Sequence, residues 1–66
     1  MKIKVNGNYL EVEDNITLSR LIENLKLNSK KIVIELNRKI IDEKDYILTE
    51  IKDGDTVEIV HFVGGG

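Results

Sequence analysis

The residues best placed to do chemistry are Gly64, Gly65 and Gly66, which close the 66-residue sequence directly after a β-rich run. Glycine weakens a strand interior, and glycine in a turn is followed by more chain. This run does neither. It makes a tether without side chains that carries one α-carboxylate, and at roughly 3.3–3.6 Å per residue it reaches about 10 Å beyond the domain. Such a tail can enter a tunnel too narrow for any Cβ. The plain alternative is a frayed end, because chain termini are commonly disordered. A terminal carboxylate, with a pKa of about 3.3–3.7, is ionised at neutral pH and is a poor electrophile, so it must be activated before it can take on another group.

Other chemistries have little to work with. The sequence holds no cysteine, which leaves no disulfide, no thiolate metal site and no thiol nucleophile. Its single histidine, His61, cannot form a metal site by itself and reads as a strand residue without chemistry. The net charge is −2 with both signs interspersed, which suits a soluble surface and argues against a basic field for nucleic acid. Lys26, Lys30 and Lys31 form the nearest basic cluster, at an expected helix end where cations meet the negative end of the dipole. No apolar run approaches the ~18 residues of a membrane span, and Met1-Lys2 leads straight into strand alternation, so no membrane segment and a cytoplasmic location are expected.

The elements that would hold the tail follow from periodicity. Met1–Asn6 alternates with Ile3 and Val5 on one side and Lys2 and Lys4 on the other, Asn6-Gly7-Asn8 supplies a turn, and Tyr9–Glu13 alternates again. This predicts an N-terminal hairpin with Leu10 and Val12 inward. Thr17 is placed to cap a helix, with Ile16 and Leu21 spaced as a hydrophobic staple. Leu18, Leu21, Ile22 and Leu25 make one apolar stripe, predicting a helix over 18–26 that Asn28-Ser29 ends. Such a helix is too short to hold without a sheet to pack on.

Ile32–Leu36 reads as a third strand with Ile32, Ile34 and Leu36 inward, Asn37-Arg38-Lys39 as a turn, and Ile40-Ile41 as a short fourth strand. Asp42–Leu48 is a polar connection in which Tyr46, Ile47 and Leu48 are expected to plug the core, with Ile51 buried after it. Tyr9 and Tyr46 read as packing residues. Asp53-Gly54-Asp55 turns the chain into a last strand over 56–63, where Val57 and Ile59 face the core and Glu58, Val60 and Phe62 face away. One helix covers one sheet face, so the class is α+β in two layers: a domain over 1–63 and a flexible glycine tail over 64–66.

This ordered set resembles the β-grasp, ubiquitin-like sulfur carriers, and within them the ThiS type. The residues that carry the resemblance are Met1–Gly7, Thr17-Leu18 with Leu21-Ile22, Leu36-Asn37, Asp53-Gly54-Asp55 and the closing Gly65-Gly66. The resemblance spans the whole chain. It implies a mixed four- to five-stranded sheet packed on one helix, with the first and last strands parallel at its centre.

It also implies a carrier rather than an enzyme, with no cofactor of its own. A ThiF-type adenylating enzyme would use ATP to make an acyl-adenylate at Gly66. Sulfur from a persulfide donor would replace AMP, and the resulting thiocarboxylate would deliver sulfur to a ThiG-type thiazole synthase for the thiazole of thiamine. Gly65 and Gly64 would give access, Gly64 with the less strict identity. Phe62, Val60 and Glu58 would offer a docking face beside the tail, unless the two apolar residues pack under the Asp42–Leu48 connection. The acidic turn Asp53–Asp55 either steers partners or is merely solvated. A molybdopterin synthase small subunit-like carrier and a ubiquitin-like protein modifier are the alternatives, since both use the same activated end.

Overall fold

In the computed structural model, residues 1–62 are described. The elements run β1 (Lys2–Val5), β2 (Asn8–Glu11), α1 (Leu18–Asn24), β3 (Ile32–Leu36), β4 (Lys39–Ile41) and β5 (Thr56–His61), with short 3₁₀ turns at Ser29–Lys31 and Glu43–Asp45. They form one five-stranded sheet in the order β2-β1-β5-β3-β4. The last strand is central: it runs parallel to β1 on one side and antiparallel to β3 on the other. The mixed sheet on one helix, with its parallel central pair, is the architecture expected. Val63 and the tail over 64–66 lie outside the described residues.

Both hairpins close through two-residue loops whose residues have positive φ. Asn6 and Gly7 sit at φ 49° and 83°, and Asn37 and Arg38 at 51° and 72°. These are the backbone conformations that match the right-handed twist of paired strands. Each loop is one residue shorter than expected, because Asn8 enters β2 and pairs with Val5, and Lys39 enters β4 and pairs with Leu36.

Helix α1 begins as the sequence suggests. The Thr17 hydroxyl accepts the Arg20 amide at 3.1 Å, and Ile16 and Leu21 are both buried. It ends two residues earlier than expected. Lys26 takes a left-handed conformation at φ 58°, the Lys26 amide donates to the Glu23 carbonyl and the Leu27 amide to that of Ile22, each at 3.0 Å. This double closure satisfies the last carbonyls without a glycine. Asn28 therefore caps the following 3₁₀ turn, its side chain accepting the Lys30 amide at 2.9 Å. Lys30 and Lys31 lie in that turn rather than at the end of α1, and Lys30 Nζ meets Glu43 at 3.3 Å.

The core collects Ile3, Ile16, Leu18, Leu21, Ile22, Ile32, Ile34, Tyr46, Ile51, Val57 and Ile59. The parities expected for β1, β3 and β5 all hold. Tyr46 fills its expected place, and burial pushes its phenol above the ordinary 10.0. Ile47 and Leu48 do not: they are 68% and 78% exposed. The Tyr46 carbonyl accepts the Ser19 amide at 3.1 Å and that of Thr49 accepts the Leu18 amide at 2.9 Å, so the chain is pinned to the start of α1 at both ends of this pair. One side chain of the run reaches the core, and the next two turn outward. Tyr9 is exposed as well, with the Lys2 and Lys4 ammonium groups 5.7 and 5.3 Å from its ring centre.

Candidate functional site

The candidate site is the sheet face that α1 leaves open, at the end of β5 from which the chain runs on to Gly66. Glu58 and Val60 on β5, and Phe62 just past its end, face away from the core. Val60 is 53% exposed and Phe62 46%. Both lie on the sheet face away from Tyr46 and the Asp42–Leu48 connection, so the packed alternative does not hold.

Sheet register adds residues that strand parity alone did not join to this face. Val33 stands directly opposite Val60, Glu35 opposite both Glu58 and Ile40. Val33, Ile40, Val60 and Phe62 are all exposed apolar side chains on this half of the sheet. The signal for Val33 and Glu35 was present in β3, since residues between inward-facing ones must face outward. Which outward residues on β5 they would meet depended on the pairing. Two carboxylates facing each other across adjacent strands are mutually destabilising. Paired with exposed apolar neighbours, they form an acidic spot on an apolar surface. The opposite half of the same face, on β1 and β2, carries Lys2, Lys4 and Tyr9.

The acidic turn before β5 is a fastener. Asp53 accepts the Lys2 amide at 2.9 Å, and Asp55 accepts the Lys52 amide at 2.7 Å and the Asn37 side chain at 3.0 Å. Asn37 in turn accepts the Thr56 amide at 2.9 Å. Gly54 at φ 84° lets its amide donate to the Lys2 carbonyl at 2.9 Å. These bonds tie the start of β5 to β1 and to the β3–β4 loop. The exit of β5 is held by Asn6, whose side chain bonds both backbone groups of Ile59. His61 is an exposed strand residue. Gly64, Gly65 and Gly66 fall outside the described residues.

A five-stranded β-grasp sheet on one helix, with an exposed apolar and acidic face leading to a glycine tail, defines a ubiquitin-like carrier. The chain belongs to the ThiS family, whose model matches residues 3–66. It is 37% identical over 65 residues to the sulfur carrier protein ThiS of Bacillus subtilis, covering 97% of this chain and 98% of that one. It is 35% identical over 66 residues to a thiazole synthase of Paramagnetospirillum magneticum, of which it spans only 20% of the length. The crystal structure of the thiamine biosynthesis protein ThiS from Geobacter metallireducens superposes with a TM-score of 0.88 at 32% identity, each chain covered in full.

Proposed function

We propose that this chain is a sulfur carrier for thiamine biosynthesis and that the Gly66 carboxylate is its cargo site. The observation that carries the reading is the alignment with the Bacillus subtilis sulfur carrier along nearly its whole length, in a family matched through Gly66. A likeness to thiazole synthases supports the thiazole branch over the molybdopterin one.

The chemistry needs no catalytic side chain here. A carboxylate oxygen of Gly66 attacks the α-phosphorus of ATP on an adenylating enzyme, and pyrophosphate leaves. A persulfide then attacks the acyl carbon and AMP departs with the electron pair of the C–O bond. The new C–S bond makes an acyl disulfide; a thiol then attacks the donor's sulfur and breaks the S–S bond that the persulfide brought, which leaves a thiocarboxylate on Gly66 and a disulfide on the donor. The thiocarboxylate is the sulfur nucleophile for a thiazole synthase. Gly65 and Gly64 keep the tail thin where nucleotide and enzyme walls close on it. Phe62, Val60 and Glu58, with Val33 and Glu35 beside them, hold the partner. An apolar anchor next to a reactive end is the kind of contact that dominates binding energy. The carrier binds no cofactor in this scheme and works in the cytoplasm.

Intact-mass measurement tests it. With a cognate adenylating enzyme, ATP and a sulfur source, the mass rises by one oxygen-to-sulfur exchange. Deleting Gly66, or capping its carboxylate as an amide, abolishes the change and leaves thermal unfolding as it was. An unchanged mass beside a demonstrably active enzyme refutes the proposal.

A further inference from the structure

Backbone hydrogen bonds of β5 alternate between its two neighbours. Even-numbered residues turn to the β3 side: the Thr56 carbonyl accepts the Asn37 amide at 2.8 Å, and the Phe62 amide donates to the Lys31 carbonyl at 3.2 Å. Odd-numbered residues turn to β1: the Asp55 and Val57 carbonyls accept the Lys4 and Asn6 amides, both at 2.9 Å. At Ile59, β1 has already ended in the Asn6-Gly7 turn, and the Asn6 carboxamide replaces it. The Ile59 amide donates to Asn6 Oδ1 at 2.7 Å, and Asn6 Nδ2 donates to the Ile59 carbonyl at 3.1 Å. The next odd residue is His61. It faces Ile32 in a pair that exchanges no hydrogen bonds, because the bonded pairs of this antiparallel ladder fall on the even residues. Its N–H and C=O therefore point to the vacated β1 side, where among the described residues no strand is paired with them. The fold leaves a short open edge on its central strand at the exit toward the tail.

We propose that this edge is a strand-addition site: an extended segment of the enzyme that adenylates Gly66 lies beside His61, accepts a hydrogen bond from its N–H, donates one to its C=O and continues the position that β1 vacates. This rests on the carrier reading. Gly66 lies five residues beyond His61, within about 18 Å even for a fully extended chain. A partner that encloses the Gly66 carboxylate and covers Val60 and Phe62 also takes water from the His61 backbone. A desolvated peptide group has to find partners, and an extended segment supplies both at once.

Amide hydrogen exchange on the full chain, alone and bound to the adenylating enzyme with a non-hydrolysable ATP analogue, reads this directly. The His61 amide exchanges freely in the isolated chain and slows by about a hundredfold or more in the complex, while the Val60 amide, turned to β3, is protected in both. His61→Pro removes the N–H and leaves the bonds to β3 in place, because proline is tolerated where the amide faces away from the ladder. It should weaken binding about tenfold, the factor carried by one interfacial hydrogen bond, whereas His61→Ala stays within about twofold. A complex that forms with the His61 amide still unprotected, or proline and alanine variants that bind alike, overturns the strand-addition site and leaves the carrier reading standing. Protection that grows with concentration in the isolated chain assigns the edge to a second copy and also overturns it. Absence of both binding and sulfur loading sinks the two readings together. If His61→Pro fails to fold, exchange on the native chain decides alone.

Discussion

The carboxamide of Asn6 acts as a strand residue beside Ile59, giving and taking one backbone hydrogen bond each, at 3.1 and 2.7 Å. Asn6 holds φ 49°, a conformation that asparagine tolerates, and so closes the β1–β2 hairpin and clamps β5 with the same residue. Asn6→Gly keeps the turn and removes the clamp. It should cost about 1–3 kcal/mol, the penalty of leaving partly buried backbone groups unpaired. Asn6→Ala should cost a further ~1–2 kcal/mol for the left-handed backbone. Urea midpoints at constant m-value measure both, and a glycine variant as stable as the parent would show that the clamp contributes nothing.

Phe62 is 46% exposed and lies outside the core, so Phe62→Ala should leave the melting temperature within about 2 °C. The same change should lower kcat/KM for adenylation by about thirtyfold, the loss typical of an aromatic anchor. Parallel melting and pyrophosphate-release assays check the pair of outcomes. Equal effects on melting and on activity would make Phe62 a packing residue.

Glu35 and Glu58 face each other on the open side of the sheet. Replacing Glu58 by glutamine removes a like-charge contact and should stabilise the free chain by about 0.2–1 kcal/mol. It should also slow association with the adenylating enzyme, most at low salt, because a rim charge acts chiefly on the encounter rate. Stopped-flow association at two ionic strengths distinguishes a docking acid from an idle one: no change in rate at either salt would mark it idle.

Burial, rather than apolar type, separates Ile34 and Ile51 from Leu48. Ile34→Ala and Ile51→Ala, at fully buried sites, should each cost about 2–5 kcal/mol. Leu48→Ser, at an exposed site, should fall within about 0.5 kcal/mol of the parent. Chemical denaturation of the three variants checks this, and a large loss at Leu48 would return it to the core.

Glu43 accepts a hydrogen bond from the Ser29 hydroxyl at 2.9 Å and meets Lys30, and these contacts hold its carboxyl below the ordinary 4.5. A depressed folded-state pKa contributes stability that is complete above the unfolded value and is lost as pH falls through the folded one. The difference in melting temperature between the parent and Glu43→Gln should therefore be steady from about pH 8 to about pH 6 and close as pH falls below the ordinary 4.5. A gap that stays constant to acid would mean that the carboxylate's contacts add nothing to folding.

Much of this fold was legible in the chain. Period-two alternation in Lys2–Val5 and Thr56–His61 named the inward residues Ile3, Val57 and Ile59, and the Thr17 cap with the 18, 21, 22 stripe placed the helix. The end of α1 was misread because the residue that closes it is a lysine in a glycine-like conformation, a choice that backbone sterics do not favour and composition does not announce. Ile47 and Leu48 were misread because hydrophobic type predicts burial only on average, and their direction is set by the bonds that tie Tyr46 and Thr49 to the start of α1.

By itself the sequence determined the elements, their inner faces and the glycine tail, because each of these is written in spacings a few residues long. The tertiary structure decided the rest. Asn6 meets Ile59 across 53 residues of chain, Val33 meets Val60, and Glu35 meets Glu58, all through strand pairing that no local period encodes. The placement of β5 between β1 and β3 is what gathers one apolar and acidic face beside the exit of the chain and leaves the His61 backbone open there. Hydrogen-bond direction in a sheet follows from which strand stands on each side, and that is a property of the folded whole.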